Sequence, residues 1–588
     1  MDSVDVKYRG SSFLVSKVKD IFTPEDFTEE HRMIAKVAQQ FVEKEVTPVI
    51  DEIEQQDFNV VVSLLHKAGD IGLLAHSVPE QYGGLGLDKV SKGIVGEMIG
   101  RTGAYGVAHS NHTCIATLPI TYFGTKEQKE KYLPKLASGQ YIGAYCLTEP
   151  GAGSDALSSK TTAVLNDTGT HYLLNGTKIF ITNAEFSNTF IVYAKVDGSK
   201  FTAFIVERDF PGLSLGPEEK KMGIKGSSTR TVFLENCYVP VENVLGEVGK
   251  GHVIALNVLN LGRFNLGSAC MGGAKYGLEL SLTYSNQREQ FGSKISTFGA
   301  TREKVASMAT KIYAAESLQY RTAFLLEDAL GGLYESSDTK LISKRLMEYA
   351  TECAICKVYG SETLDYIADE ALQLHGGAGY IKEYTIERMY RDSRINRIFE
   401  GTNEINRLII PTQFLKKVLK GRVSLEEDVQ KAVKDLHSQQ PETNSILGRE
   451  QNAITLIRNL FLYCTGVLFK SYGFELKGEQ EALMKLANIG IQLYASESVV
   501  LRTLKAIQKN GEENEKVKIL FAQSYIDDVL LDIETDAKRL VTGTLKDAEL
   551  KQSMKIISNN FADLARSGAT QRRRQIADVL NQYNRYPI

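Results

Sequence analysis

The chain has 588 residues, enough for about three or four domains at roughly 100 to 200 residues each. Hydrophobic residues make up 43% and charged residues 24%, and 69 Lys and Arg against 72 Asp and Glu give a net charge of −3. This composition excludes a disulfide-stapled miniprotein, a collagen-like chain and a disordered chain. Without an overall positive charge to attract phosphates, we expect no nucleic-acid partner.

Seven cysteines are scattered along the chain, which suits a reducing compartment rather than a disulfide framework. Cys353 and Cys356 form a C-x-x-C pair, but no second pair and no histidine pair follows, and the surrounding pattern is helical. We therefore predict buried core thiols there and no metal site. Residues 1–20 mix acidic and basic side chains without an apolar run of signal-peptide length, which favours a cytoplasmic protein.

Helical spacing dominates residues 1–140, the first predicted domain. Thr23-Pro24-Glu25-Asp26 has the pattern of a helix start, a capping threonine followed by proline. Ile34, Val37 and Phe41 then recur at spacings of three and four residues. This region is predicted to be a helix bundle.

A β pattern fills residues 141–247, the second predicted domain, where the apolar period falls to two. Asn175-Gly176 is the strongest turn signal and predicts a type I′ hairpin within residues 172–179. Asp197-Gly198 predicts a second hairpin, between the strands Phe190 to Val196 and Phe201 to Val206.

Helical spacing returns over residues 248–420, the third predicted domain, which closes with a basic last turn and Gly421. Residues 421–450 are polar and poorly periodic around their centre, which predicts a mobile linker. A helical extension over residues 451–588 completes the chain. The expected fold class is mainly α with a central β domain: helix bundle, β-barrel-like domain, helix bundle and C-terminal helical domain.

A glycine-rich loop, Gly151-Ala152-Gly153-Ser154-Asp155-Ala156, matches the G-x-G-x-x-A dinucleotide fingerprint. That mechanism needs a strand before the loop and a helix after it, whereas here Pro150 precedes it and strands joined by a turn at residues 166–169 follow. We therefore reject a nicotinamide Rossmann site. A tight turn, or a loop whose backbone N–H groups meet a phosphate or flavin, both remain open.

The loop belongs to a set of five motifs that occur in a fixed order. They are the segments Tyr145-Cys146-Leu147-Thr148-Glu149-Pro150-Gly151-Ala152-Gly153-Ser154-Asp155, Lys178-Ile179-Phe180-Ile181-Thr182-Asn183, Arg288-Glu289-Gln290-Phe291-Gly292, Gln373-Leu374-His375-Gly376-Gly377 and Phe399-Glu400-Gly401-Thr402-Asn403-Glu404. With them, the sequence closely resembles the acyl-CoA dehydrogenase family over about residues 25–415. Residues 416–588 resemble the C-terminal extension of that family's very-long-chain branch, which implies fatty-acid β-oxidation of the bacterial type.

The resemblance implies FAD as cofactor and fatty acyl-CoA as substrate. By position, the implied cofactor contacts are Tyr145, Leu147, Thr148, Gly153, Ser154, Phe180, Thr182, Arg288, Phe291, Gln373, Gly377, Thr402 and Glu404. The implied substrate contacts are Ser154, Asn260, Arg263 and Gly401. Many relatives carry tryptophan at the Phe180 position, and phenylalanine keeps the apolar stack but lacks the N–H donor. Arg288, Gln373 and Gly377 match positions that reach the FAD of a neighbouring subunit, which implies an oligomer, with a homodimer favoured.

Glu400 matches the family's catalytic base. The resemblance places the thioester between Glu400 and the flavin, with its carbonyl oxygen bound by the Glu400 backbone N–H and a ribityl hydroxyl. Glu400 takes the α proton while the β hydrogen leaves as hydride to flavin N5, giving a trans-2-enoyl-CoA. A closed site should raise the pKa of the Glu400 carboxyl towards working pH.

The resemblance leaves the fate of the electrons open. Electron-transferring flavoprotein is the expected acceptor, and reoxidation by oxygen, as in related oxidases, is the alternative. A relative with a similar extension serves as an assembly factor, so a non-catalytic scaffold flavoprotein is a further alternative.

Two further expectations concern chain length and the extension. Small Ala108 and Ser110, in the stretch matching the floor of the family's acyl pocket, predict a long-chain substrate. The apolar stretch Ile454 to Phe469 is either a core helix of the extension or a peripheral contact to a membrane, and the absence of a flanking basic cluster favours the core helix.

Overall fold

A computed structural model describes residues 10–334, 336–438 and 445–588. The N-terminal part is helical, as predicted, and carries seven helices: α1 (Glu29–Phe41), α2 (Ile50–Glu54), α3 (Phe58–Asp70), α4 (Lys89–Gly100), α5 (Ala104–Ser110), α6 (Leu118–Phe123) and α7 (Lys126–Ala137). The predicted start at Thr23 is a capped single turn, Pro24–Asp26, and α1 itself begins after a second capping residue, Thr28. A π-helical turn, Asn111–Ala116, joins α5 to α6.

The central part is a β domain, as predicted. Its strands are β1 (Gly143–Cys146), β2 (Thr162–Leu165), β3 (His171–Thr182), β4 (Thr189–Val196), β5 (Lys200–Glu207), β6 (Leu213–Glu218), β7 (Thr229–Pro240) and β8 (Val244–Leu245). They form one sheet in the order β6-β7-β3-β2-β4-β5-β8, and β1 pairs with β4. The hairpin predicted at Asp197-Gly198 is confirmed, since β4 and β5 pair antiparallel from Thr189–Glu207 to Val196–Lys200.

The hairpin predicted at Asn175-Gly176 is wrong, because β3 runs straight through both residues. The register between β3 and β7 shifts between Leu174 and Gly176, which marks a bulge. A Cβ on Gly176 would lie 2.3 Å from the Thr161 hydroxyl oxygen, so the glycine permits a close strand approach rather than a reversal. The turn that begins β3 lies at residues 166–169, where β2 and β3 pair antiparallel.

Long helices follow the sheet: α8 (Gly251–Gln287), α9 (Gly299–Leu330), α10 (Thr339–Glu348), α11 (Ala350–His375), α12 (Thr385–Ser393) and α13 (Asn403–Leu419). A small hairpin, β9 (Glu289–Gln290) and β10 (Ser293–Lys294), separates α8 from α9. Cys353 and Cys356 lie buried and unpaired on α11, which confirms them as core thiols.

The extension consists of α14 (Leu425–Leu436), α15 (Gly448–Tyr472), α16 (Gln480–Asn510), α17 (Lys516–Thr544), α18 (Asp547–Ala562) and α19 (Ala569–Tyr583). The linker predicted at 421–450 is therefore in part a helix, α14, whose Ala432 and Leu436 are buried in the common core. Its centre, residues 439–444, lies outside the described residues.

Buried polar contacts join the extension to the rest of the fold. On α16, Tyr494 and Thr503 bond the Thr322 and Tyr313 hydroxyls of α9, both at 2.9 Å. In the described part of the chain, α15 is the one helix long and apolar enough to span a membrane, yet 67% of its most apolar window is buried inside the protein. Its burial supports the core-helix interpretation of Ile454 to Phe469.

Candidate active site

A cavity of about 1060 Å³, partly open to solvent, lies where α4, α5, α8 and α12 meet the loop before α13. Along α8 its lining residues follow helical spacing on one face: Gly262, Asn265, Leu266, Ala269, Cys270, Gly273 and Tyr276. At about 1.5 Å rise per residue, the 14 steps from Gly262 to Tyr276 span roughly 21 Å. The cavity is therefore a long channel rather than a round pocket.

Glycines keep this channel open on both walls. Gly100, Gly103 and Gly106 line it opposite α8. A Cβ on Gly262 would lie 2.8 Å from Glu400 Oε2, and a Cβ on Gly103 would lie 2.6 Å from Asp392 Oδ2. Side chains at these positions would collide with the carboxylates that line the channel.

Glu400 stands at the Gly262 end of the channel. Its backbone is left-handed, with φ 56°, and Gly401 follows at φ 76°. Oε2 is shielded from solvent and has no hydrogen-bond partner among the described residues. Burial raises the pKa of the Glu400 carboxyl to about 7, against the opposing pull of Arg263 and Lys357. The site thus holds a carboxylate with a free oxygen and a pKa near neutrality, as the sequence predicted.

Side chains beneath the loop fix the backbone around Glu400. Asn406 Nδ2 donates to the carbonyls of Glu400, Gly401 and Thr402 at 3.3, 2.7 and 3.1 Å. Lys357 Nζ donates to the Gly401 carbonyl at 2.8 Å. The predicted cofactor residue Thr402 caps α13 through its hydroxyl.

Lys357 and Asn406 were missed by the sequence reasoning. The available signal was a lysine inside the apolar stretch Ala354 to Tyr359, and an asparagine one helical turn after Thr402. Neither pattern indicates which group the side chain contacts. For Lys357 that group is the Gly401 carbonyl, 44 residues further along the chain.

The predicted substrate residues Asn260 and Arg263 lie on α8 behind the loop, outside the lining of the channel. Arg263 is buried and donates to Asn260 Oδ1 at 2.7 Å, while its Nε has no hydrogen-bond partner among the described residues. Arg263 acts on Glu400 through its charge.

The residues predicted to hold the flavin ring lie beside the channel. The Ile179 N–H donates to the Thr148 carbonyl at 2.9 Å and holds the segment after β1 against β3. Phe180, at φ 59°, is 62% exposed, and Thr182 lines the channel. Tyr145 and Leu147 are buried, beneath the surface formed by Thr148, Phe180 and Thr182.

This surface fits a flat cofactor. An exposed phenyl ring in a strained backbone conformation offers an apolar face for stacking. Gly153 has no atom within 4 Å of an added Cβ, and Ser154 beside it is exposed, so the loop leaves room for a bound group.

A second set of predicted cofactor residues lies outside the channel, and all are exposed: Arg288, Phe291, Gln373, Gly377 and Glu404. The stacked rings of Tyr284 and His375, with centroids 4.2 Å apart, join the last turn of α8 to the end of α11. Phe291 is 96% exposed at the tip of this surface. The chain does not bring Arg288, Phe291, Gln373 or Gly377 to its own channel.

Of the two residues predicted to form the floor of the acyl pocket, only one lines the channel. Ser110 lines the channel together with Val107 and Asn111. Ala108 does not, because it faces the opposite side of α5, in a buried apolar cluster, where its carbonyl accepts a bond from Asn183 Nδ2 at 2.9 Å. The floor role predicted for Ala108 is therefore wrong.

Family models match four successive parts of the chain, in the same order as its domains. Residues 28–140, 144–237 and 249–415 match the N-terminal, middle and C-terminal domains of acyl-CoA dehydrogenase, and residues 456–558 match a further acyl-CoA dehydrogenase C-terminal domain.

Similar proteins agree with these matches. A probable acyl-CoA dehydrogenase of Bacillus subtilis is 48% identical over 99% of this chain and 98% of its own length. The human mitochondrial very long-chain specific acyl-CoA dehydrogenase is 37% identical over 69% of this chain and 62% of its own length. A crystal structure of an acyl-CoA dehydrogenase complexed with FAD from Bacillus anthracis superposes with a TM-score of 0.95, at 47% identity over 99% of this chain and 100% of that one. The chain therefore belongs to the acyl-CoA dehydrogenase family, and is an FAD-dependent oxidoreductase.

Proposed function

We propose that this enzyme removes the α and β hydrogens of long-chain fatty acyl-CoA in β-oxidation, giving trans-2-enoyl-CoA. The proposal rests above all on Glu400, whose Oε2 has no hydrogen-bond partner within the described ranges and lies at one end of a channel roughly 21 Å long.

Glu400 is proposed as the general base. A pKa of about 7 leaves a large fraction of the carboxylate ionised at neutral pH while keeping it basic enough to take a weakly acidic α proton. In the proposed complex, the backbone N–H of Glu400, which is held in a left-handed conformation, would bind the thioester carbonyl oxygen as charge develops there. Asn406 and Lys357 keep that backbone in place.

FAD, when bound, supplies an acceptor for the β hydrogen and its electron pair. Thr148, Phe180 and Thr182 would hold its ring beside the channel, with Ser154 at the open edge of the loop. Arg288, Phe291, Gln373 and Gly377 are exposed and remote from the channel, so we place them at the FAD of a second subunit in a homodimer.

The substrate class follows from the channel. Each methylene that leaves water for an apolar wall contributes about 0.8 kcal/mol. Because the channel runs along α8 past the small residues Ala269, Cys270 and Gly273, this gain continues for many carbons before the chain meets Tyr276 and Arg101. We infer a preference for long acyl chains.

Electron-transferring flavoprotein is the proposed acceptor, in the cytoplasm. A 40% identical relative is named as a subunit of a caffeyl-CoA reductase–Etf complex, which supports this pairing within the family. Oxygen is the competing acceptor.

The test is reduction of the purified yellow enzyme by acyl-CoA thioesters of increasing length, without oxygen. Bleaching of the flavin with a long-chain optimum supports the proposal, whereas a butyryl-CoA optimum contradicts the substrate class and the absence of bleaching at every length supports a scaffold. Adding air to one arm and electron-transferring flavoprotein to another identifies the acceptor, since an oxidase turns over rapidly in air alone.

A further inference from the structure

Lys357 lies in the middle of α11 and its side chain is fully buried. Removing an ammonium group from water costs several kcal/mol unless the protein supplies partners. Its Nζ donates to a backbone carbonyl and to a side-chain amide oxygen, both uncharged, so these bonds rather than an ion pair supply the compensation. The partners of Lys357 therefore explain why a lysine occupies this position.

Both hydrogen-bond acceptors of Lys357 belong to the loop and helix start that follow Glu400. Nζ donates to the Gly401 carbonyl at 2.8 Å and to Asn403 Oδ1 at 2.6 Å. Asn403 in turn donates to the Ser361 hydroxyl and to Glu362, four and five residues further along α11. The lysine thus ties the loop to α11.

The loop needs such ties because its conformation is costly. A residue other than glycine in the left-handed region pays roughly 1–2 kcal/mol, and Glu400 is in that region at φ 56°. Asn406 and Lys357 share the Gly401 carbonyl as acceptor, so the strained peptide is held from two sides.

Lys357 also faces the carboxyl of Glu400 electrostatically. The charged and titratable groups that surround Glu400 are Arg263 from α8, Lys357 from α11, Cys114 from the π-helical turn and Tyr145 from β1. Of these, the two cations hold down the pKa of Glu400, which burial raises.

Burial also lowers the pKa of Lys357 itself to about 8, opposed by Cys270 of α8 and by Glu400, with Arg263 acting in the same direction as burial. The lysine therefore loses its charge just above the pH at which Glu400 gains its own.

We propose that Lys357 is a positioning residue for Glu400: it fixes the loop through the Gly401 carbonyl and Asn403, and its charge helps keep the Glu400 carboxyl ionised. The inference rests on the proposed role of Glu400 as base. It assigns two separable effects to one side chain, and each has its own readout.

The test compares Lys357→Met and Lys357→Arg holoenzymes with wild type, using the pH profile of kcat/KM for a long-chain acyl-CoA and the infrared carboxyl band that Glu400→Gln abolishes. Lys357→Met should bind FAD, lose about 10- to 100-fold in kcat through misplacement of the loop, and raise the pKa of Glu400 by on the order of one unit. Lys357→Arg keeps a cation, but in a fully buried site it cannot reproduce both bonds, to the Gly401 carbonyl and to Asn403. Its kcat should therefore fall, while the pKa of Glu400 should stay unchanged.

Lys89→Met is the matched control, because Lys89 is equally buried but donates to Tyr334 on the other side of α4. It should leave kcat and the pKa of Glu400 unchanged. If Lys357→Met behaves like Lys89→Met in both readouts, the inference is wrong.

Wild-type enzyme gives a test that survives misfolding of either variant. Loss of the Lys357 charge weakens its two bonds to the loop, so kcat/KM should fall on the alkaline side with a pKa near 8, and a profile flat through that range contradicts the role of the charged lysine in holding the loop. The proposed function has a separate test. If the Glu400→Gln enzyme keeps full turnover, Glu400 is not the general base, whatever the Lys357 variants show. An inactive Glu400→Gln beside an unaffected Lys357→Met refutes only the role of Lys357.

Discussion

At the scale of single residues, catalysis and stability oppose each other at Glu400. Its carboxyl has an ordinary pKa of 4.5 when unfolded and about 7 in the folded protein, because burial disfavours the charge. A carboxyl whose pKa is raised by folding binds its proton more tightly in the native state. The fold therefore loses stability as pH rises from about 4.5 to 7, and the full cost persists above pH 7.

Glu400→Gln should consequently stabilise the protein at pH 8 by about 1–2 kcal/mol, after a discount for partial access to solvent. The gain should vanish near pH 4.5, where the wild-type carboxyl is protonated in both states. Thermal unfolding of FAD-free protein at the two pH values measures the difference. Glu383→Gln, at an exposed site, is the control, and an equal gain from both variants at pH 8 would contradict the buried-charge explanation.

The sequence identified Glu400 through the motif around it, but not the side chains that hold it. Lys357 and Asn406 act through contacts to backbone carbonyls, and any residue has a carbonyl, so no pattern of residue types marks such a contact. Ala108 and Ser110 show a second limit, because which face of a short helix borders the channel depends on how α5 packs against α3 and against Asn183, which follows β3.

At the scale of elements, α8 has two functions. It carries Arg263 beside the base, and its stripe from Gly262 to Tyr276 forms one wall of the channel. Filling that wall should therefore shorten the substrate without disturbing the chemistry.

Ala269→Leu places a larger side chain near the middle of the channel, seven residues or roughly 10 Å along α8 from Gly262. We expect kcat/KM to fall for long acyl chains and to remain near wild type for butyryl-CoA, because only the far methylenes lose their site. A series of chain lengths measures this, with butyryl-CoA as internal control. A uniform loss at every length would instead indicate a general packing defect.

Elements also show where local patterns mislead. Helix and strand periods predicted the layout of α and β domains, since burial on one face imposes the period. Asn175-Gly176 failed because a glycine serves equally well in a turn and in a bulge that accommodates Thr161. A polar linker was predicted where α14 forms. Only two residues of this helix, Ala432 and Leu436, are buried, so its sequence is as polar as that of a linker.

At the scale of the whole molecule, the extension is joined to the catalytic part by a buried ion network. Arg502 of α16 is fully buried. Its guanidinium donates to Glu316 of α9 at 2.7 Å and to Glu25 at 3.0 Å. Lys275 of α8 bonds both Glu316 and Glu97. The network thus connects the N-terminal segment, two catalytic-domain helices and the extension.

Arg502→Met should destabilise the protein by about 3–5 kcal/mol, because it leaves Glu316 and Glu25 with fewer cations in a buried site. Arg32→Met, which breaks an exposed pair with Glu29, should cost no more than about 1 kcal/mol. Denaturant unfolding at neutral pH compares the two variants. Equal, small losses would show that the buried network does not hold the extension in place.

The central claim is that Glu400 removes the α proton of a long-chain acyl-CoA, and single-turnover flavin reduction tests it most directly. Wild-type and Glu400→Gln holoenzymes are mixed with palmitoyl-CoA in the absence of oxygen, after FAD content and substrate binding have been shown to match. The account predicts rapid bleaching in the wild type and a rate about 10² to 10⁴ lower in the glutamine variant. Reduction of Glu400→Gln at the wild-type rate would contradict it.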